Sequence, residues 1–225
     1  MQKHLELNGI NFLLGDSVAS FKKNTAIMNS GKTVYFDVLV LAVGVRANTS
    51  LIKDINGEVN RGILVNTKME TSIPDVYAAG DCTEGEDISF QGKRVLAILP
   101  NAYMQGNCAG VNMTGHSAVF DKAIPMNSIG FFGLHAMTAG SYYTAEQGGE
   151  LYEEKTEHTL KRLFTKDDYL TGFILIGATD RAGIYTSLIR DRIPLSSINF
   201  EHLKKTATST AFSAEKRKQF FGGVV

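Results

Sequence analysis

A chain of 225 residues with 44% hydrophobic residues, 22 Gly and only 4 Pro holds enough apolar material for one large or two small packed domains joined by many turns. Lys+Arg 23 balances Asp+Glu 23, so no broad basic field exists to draw nucleic acid or an anionic membrane surface. The longest apolar runs, such as residues 38–43, are too short to span a bilayer. Met1-Gln2-Lys3-His4 leads into a helical pattern rather than a signal-peptide core. A cytoplasmic location is therefore expected. Cys82 and Cys108 form no C-x-x-C and no disulfide framework. Cys82 reads as a small packing residue rather than a nucleophile.

In chain order, Leu5, Leu7 and Ile10 mark the tail of a helix that stops at Asn8-Gly9. Residues 10–14, 17–21 and 25–28 read as strands, and Asn29-Ser30-Gly31 turns the chain into a longer one over 33–43. Within it, Val38-Leu39-Val40-Leu41-Ala42-Val43 is nearly all apolar, a pattern that predicts a strand covered on both faces. Gly44 then permits a sharp turn, and Arg46 and Asn48 can hold the crossover by hydrogen bonds. Residues 61–65 predict an intervening strand. Residues 71–82, TSIPDVYAAGDC, place a short strand, 76–79, ahead of Gly80 and Asp81. Glycine there lets backbone approach a bulky ligand, and the Asp81 carboxylate can accept hydrogen bonds from hydroxyl groups.

A polar loop is expected over 83–91, followed by 93–99. Pro100 stands where a helix begins without wasting a donor. Ala102, Met104, Gly106, Ala109, Gly110 and Met113 suit close helix–sheet packing. A boundary falls near 120–125. Beyond it, strands are expected over 128–132 and 136–141, with Gly133 and Gly140 as breakers, and 157–164 and 170–176 predict a hairpin turning at Lys166-Asp167-Asp168. A helix over 181–190, capped by Asp180, is followed by a short one from Ser196-Ser197 and a charged one over 214–221. No repeat and no low-complexity tract interrupts this order.

The 71–82 stretch resembles the second FAD-binding motif of the pyridine nucleotide–disulfide oxidoreductase superfamily, where the matching Asp meets the ribityl–pyrophosphate part of the flavin. The run from Phe36 to Asn48, ending in G-x-R-x-N, is similar to the passage where that superfamily's nicotinamide-binding domain returns the chain to the flavin domain. The resemblance implies a fold passing from α/β to α+β: partial FAD/NAD(P)-binding Rossmann-like segments followed by a C-terminal α+β interface domain. It divides the chain into 1–48, 49–120 and 121–225. Gly80 and Asp81 are the implied flavin contacts, joined by Pro100, Asn101 and Ala102 at a helix start whose positive end faces the flavin ring.

No G-x-G-x-x-G occurs in the sequence, whereas a dinucleotide site needs a strand, a glycine turn and a helix N-terminus for the pyrophosphate. The resemblance is thus to the C-terminal half of a longer enzyme, with FAD and NAD(P)H as cofactors of the whole and neither held tightly by this chain alone. The expected partners are FAD- and NAD-binding domains or a completing chain, a second copy, and an electron acceptor. The family's C-terminal His, with a Glu five positions on, has no counterpart; His116 and Asp121 share that spacing but sit at a helix exit. That departure points away from dithiol chemistry, toward NADH oxidases, NADH:rubredoxin reductases and the flavin portion of nitrite reductases. No residue is assigned as acid, base or nucleophile. Scattered histidines offer no metal site, Lys216-Arg217-Lys218 reads as a solvated face, and Phe131, Phe132, Tyr142 and Tyr143 read as core. The rival expectation is a non-enzymatic dimerisation or docking module.

Overall fold

The computed structural model describes residues 1–90 and 92–220, and the chain separates into two compact units, Met1–Val45 and Arg46–Val225. Unit one holds α1 (Gln2–Leu7), ended at Asn8, and a three-stranded antiparallel sheet of β1 (Val18–Lys22), β2 (Thr25–Met28) and β3 (Thr33–Tyr35). Ala26 and Met28 bury one face of β2 in the period-two alternation of a half-covered strand. The expected strands at 10–14 and 38–43 do not form. A two-sided apolar strand is made by its neighbours, and no described strand pairs with this run. Val38 and Val40 are each 79% exposed and Val43 is 90% exposed.

Near the start of unit two, the Asn48 side chain accepts from the Ser50 hydroxyl at 2.9 Å, rather than bonding across a crossover. The chain leads into α2 (Ser50–Lys53), then β4 (Ile63–Leu64), β5 (Thr83–Asp87) and β6 (Gly92–Arg94), with β4 parallel and β6 antiparallel to β5. The expected polar loop after Asp81 is therefore largely strand. Two of its three acidic residues are buried, Glu84 and Asp87, while Glu86 is exposed; the Glu84 carboxylate accepts from Asn60 Nδ2 at 3.1 Å and from the backbone N–H groups of Arg61 and Gly62 at 2.9 and 3.1 Å. Residues 76–79 form no ladder, only a single bridge between Tyr77 and Glu70.

The long helix α3 (Leu99–Met113) follows, with Pro100 in its first turn as expected. Its buried face is Asn101, Gln105, Cys108, Ala109 and Asn112. Gly106, Gly110 and Met113 lie on the outer side, against the expectation that they pack inward. Cys108 and Ala109 join Ile52, Ile63, Val65 and Met69 in one apolar cluster.

The remainder is a five-stranded antiparallel sheet in the order β7 (Met126–Phe131), β8 (Leu134–Gly140), β11 (Tyr169–Ile176), β10 (Leu160–Lys166), β9 (Glu150–Lys155). The β10–β11 hairpin turns at Asp167 and Asp168, both with positive φ, as a two-residue hairpin turn demands. Strand β9 was not expected, since Glu150, Glu153 and Glu154 mask its pattern. Helix α4 (Ala182–Arg190) lies on the sheet, followed by α5 (Phe200–Lys205) and α6 (Ala214–Phe220); Phe221 lies outside the described residues. Asp180 does not cap α4: Arg181, with φ 60°, is the flanking residue and no side chain caps it.

The core between sheet and helices contains Leu163, Leu170, Phe173, Leu175, Tyr185, Leu188 and Leu203. Each contributes about 1.5–3 kcal/mol by burial. Tyr185 is 1% exposed and donates to the Leu203 carbonyl at 2.9 Å. Burial, with smaller repulsion from Tyr152 and Glu154, pushes its phenol from 10.0 up to about 12. The unfolded chain therefore sheds this proton first, and the neutral group's contribution is complete below pH 10.0 and lost as the pH climbs to about 12. Urea midpoints measured across that window should fall by the equivalent of about 2–3 kcal/mol more for the native chain than for Tyr185→Phe. Equal slopes would contradict the burial assignment.

Candidate functional site

The candidate site lies where residues 79–83 turn against the first two turns of α3. Gly80 has φ +88°, a conformation that side-chain-bearing residues rarely adopt. A Cβ built there would meet only the Ala102 Cβ, at an ordinary 3.6 Å. Backbone conformation, rather than clearance for a ligand, is thus what demands glycine within the protein itself. The Gly80 N–H donates to Gln105 Oε1 at 2.7 Å. Thr83 Oγ1 lies 2.8 Å from the Gly80 carbonyl and 3.1 Å from Gln105 Oε1, and its single hydrogen serves one of the two. The turn is therefore tied to the helix through one buried amide.

Asp81 stands at the apex, exposed, and its carboxylate makes no hydrogen bond or ion pair among the described residues. Its neighbour Cys82 is half-buried, with its thiol 3.6 Å from the Ala79 carbonyl. Cys108 is buried beside Asn112, and desolvation pushes its thiol pKa up, against smaller lowering by hydrogen bonds. Both cysteines are free, and the raised Cys108 thiol does not favour an activated thiolate.

At the helix start, Pro100 is exposed and Ala102 half-buried. Ile98 flanks α3 and no side chain caps it, so the positive end of the dipole is offered to an anionic or polar group. Asn101 behaves differently. It is 0% exposed, and its Nδ2 donates to the Ile124 carbonyl at 3.1 Å, which ties α3 to the segment entering the five-stranded sheet. The structure thus brings Gly80, Asp81 and Ala102 into one neighbourhood, with Pro100 on the same helix start, and turns the Asn101 side chain into the core.

Gln105 and Thr83 are the residues sequence reasoning missed. The available signal was spacing: Asn101, Gln105, Cys108 and Asn112 recur on one helical face, and polar residues on a buried face bond to something. Among the described residues no cluster of His, Cys, Asp or Glu could hold a metal ion, and no helix is long and apolar enough to cross a membrane.

Residues 1–106 match the family described as pyridine nucleotide-disulphide oxidoreductase. The chain is similar to the NADH-dependent phenylglyoxylate dehydrogenase subunit epsilon of Aromatoleum evansii, 36% identical over 177 residues, covering 76% of this chain and 41% of that protein. It is also similar to an NADH oxidase of Methanocaldococcus jannaschii, 31% identical over 198 residues, covering 79% and 44%. A solved structure of reduced CoADR-RHD from Bacillus anthracis superposes with TM-score 0.81 at 20% identity, over 88% of this chain and 40% of that one, which speaks to fold. The chain spans less than half the length of each of these three proteins.

Proposed function

This chain belongs to the pyridine nucleotide–disulphide oxidoreductase family, and we propose that it forms the carboxyl-terminal part of an FAD-dependent NAD(P)H oxidoreductase, supplying one side of the flavin site. The observation that carries this reading is Asp81: an exposed carboxylate with no partner among the described residues, presented by a Gly80 turn that Gln105 fastens to an uncapped helix start.

That donor set fits a flavin. Asp81 would accept hydrogen bonds from the ribityl hydroxyls. The positive end of the α3 dipole would face the polar edge of the ring, with Pro100 and Ala102 giving backbone contact there. Asn101 and Gln105 would keep helix and turn in place without touching the cofactor. When bound, FAD supplies the redox chemistry, taking electrons from NAD(P)H and passing them to an acceptor, a small protein or molecule. Holding the carboxylate and the helix dipole in fixed positions before the cofactor arrives is the protein's contribution.

On this reading, residues 1–48 close the nicotinamide domain, 49–120 close the flavin domain and 121–225 form an interface domain that can pair two copies. The partners are FAD- and NAD-binding domains or a completing chain, in the cytoplasm. With no glycine turn in its sequence, the isolated chain should be colourless or nearly so. Fused to the portion of the Aromatoleum evansii relative outside the matched 177 residues, it should take up FAD and show a flavin absorbance band. A fusion that folds, stays colourless with added FAD and self-associates would favour the docking-module reading. The exposed apolar side of α3, with Leu99 82%, Tyr103 78% and Met113 68% exposed, is what keeps that alternative open.

A further inference from the structure

A cavity of about 360 Å³ opens where the β5–β6 hairpin meets the end of β8, within the usual size range of small-molecule sites. Phe90, Arg94, Asn127, Thr138, Ser141 and Tyr143 are among its walls. Arg94 is held there from three sides. Its Nη2 donates to Ser141 Oγ at 3.1 Å, its Nε lies 3.3 Å from Asp87 Oδ2, and its guanidinium carbon sits 3.7 Å over the Phe90 ring centroid.

The anchor beneath is buried. The Asp87 side chain has no exposed surface, and its Oδ1 accepts from the Ser89 N–H at 2.9 Å and the Ser89 hydroxyl at 2.7 Å. Ser89 and Ser141 hydroxyls are in turn 3.0 Å apart. Asp87 Oδ2 and Arg94 Nε face each other as charges without an aligned hydrogen bond. A third of the arginine side chain, 34%, remains exposed, and its Nη1 has no acceptor among the described residues. Asp87 offsets part of its charge and fixes its plane.

The surroundings add positive charge and flat surfaces. Among the described residues no carboxylate lines this cavity directly. Its Tyr143 wall is shared with a smaller neighbouring cavity of about 80 Å³, where Lys166 Nζ lies 4.5 Å over the Tyr143 ring and Arg192 lies 5.1 Å over Tyr169. One carboxylate, Asp167, accompanies those two cations. A guanidinium stacked on phenyl is a flat platform with an in-plane donor edge, suited to a planar ring bearing a carboxylate.

We propose that this cavity binds a small planar anion, a carboxylate carried on an aromatic or heteroaromatic ring. The carboxylate takes the free edge of the Arg94 guanidinium, and the ring lies along the Phe90–Arg94 stack toward Tyr143. No FAD is involved, so the proposal stands or falls apart from the flavin reading.

Calorimetric titration of the full 225-residue chain with benzoate, benzamide and cyclohexanecarboxylate tests it. Saturable benzoate binding is expected, at least about ten-fold tighter than either analogue, the loss expected for one charge-assisted hydrogen bond or one stacking contact. Arg94→Lys, which keeps the charge and loses the fork, should weaken benzoate about ten-fold. Because Arg94 also faces buried Asp87, that variant could fail to fold. Asn127→Phe, at an exposed position of β7 on the cavity wall, fills the space without touching the network and should abolish binding in a folded chain. Absence of saturable binding, equal affinity for either analogue, or unchanged affinity in Asn127→Phe overturns the proposal.

Discussion

Gly140→Ala is expected to destabilise unit two severely, where Gly133→Ala at a similar backbone angle only weakens it. Both glycines have positive φ, +74° and +81°, so alanine at either pays about 1–2 kcal/mol for the left-handed conformation. They differ in space. A Cβ at Gly133 meets nothing within 4 Å, whereas at Gly140 it falls 2.0 Å from the Thr171 carbonyl oxygen and 2.9 Å from Gly172 Cα. Those are backbone atoms of the neighbouring central strand, paired to β8 through Gly172 and Gly140, and no rotamer change relieves them. Overpacking adds about 1–3 kcal/mol or more, and the sum of about 2–5 kcal/mol or more reaches the low end of an ordinary domain's stability, about 5–15 kcal/mol. Circular dichroism melts of the two variants decide the matter. Similar melting temperatures would show that β8 and β11 do not approach as closely as described.

Gln105→Met is expected to loosen the Gly80 turn while leaving α3 helical. Methionine matches glutamine in length and helix preference but offers only a weak acceptor. The Gly80 N–H, now 2.7 Å from the amide oxygen, loses its partner, and the Thr83 hydroxyl keeps only the Gly80 carbonyl. Leaving such a donor unsatisfied costs about 1–3 kcal/mol. The urea midpoint should fall by that amount, and amide exchange at residues 80–83 should speed up more than in the five-stranded sheet. In the FAD-binding fusion the same change should weaken flavin uptake, because Asp81 is aimed by this turn. Unchanged stability would mean the amide bond carries no weight.

Much of this architecture was readable from local pattern. Pro100 marked the start of α3 to within one residue of Leu99, and the Asp167-Asp168 turn marked the β10–β11 hairpin. These signals are local because φ restriction and turn chemistry belong to single residues. What failed depended on distant partners. Residues 38–43 have the composition of a two-sided strand, but composition cannot supply neighbours, and the run stands exposed. Thr83–Asp87 carries three acidic residues and reads as a loop until Asn60, Arg61 and Gly62 are seen to satisfy Glu84. At the site, Gly80 and Asp81 were legible as an ordered motif. Gln105 was not, because its role exists only when the turn folds onto the helix, and the inward turn of Asn101 was hidden for the same reason.

The sharpest measurement is FAD affinity of the fusion protein with Asp81 intact and with Asp81→Ala, by flavin fluorescence at fixed ionic strength, alongside a melting curve for each. Asp81 is exposed and bonded to nothing described in the protein, so the substitution should leave stability within about 0.5 kcal/mol. Flavin affinity should drop about ten-fold or more, the worth of a charged hydrogen-bond acceptor. Equal affinity in a folded variant would contradict the assignment of this carboxylate to the flavin.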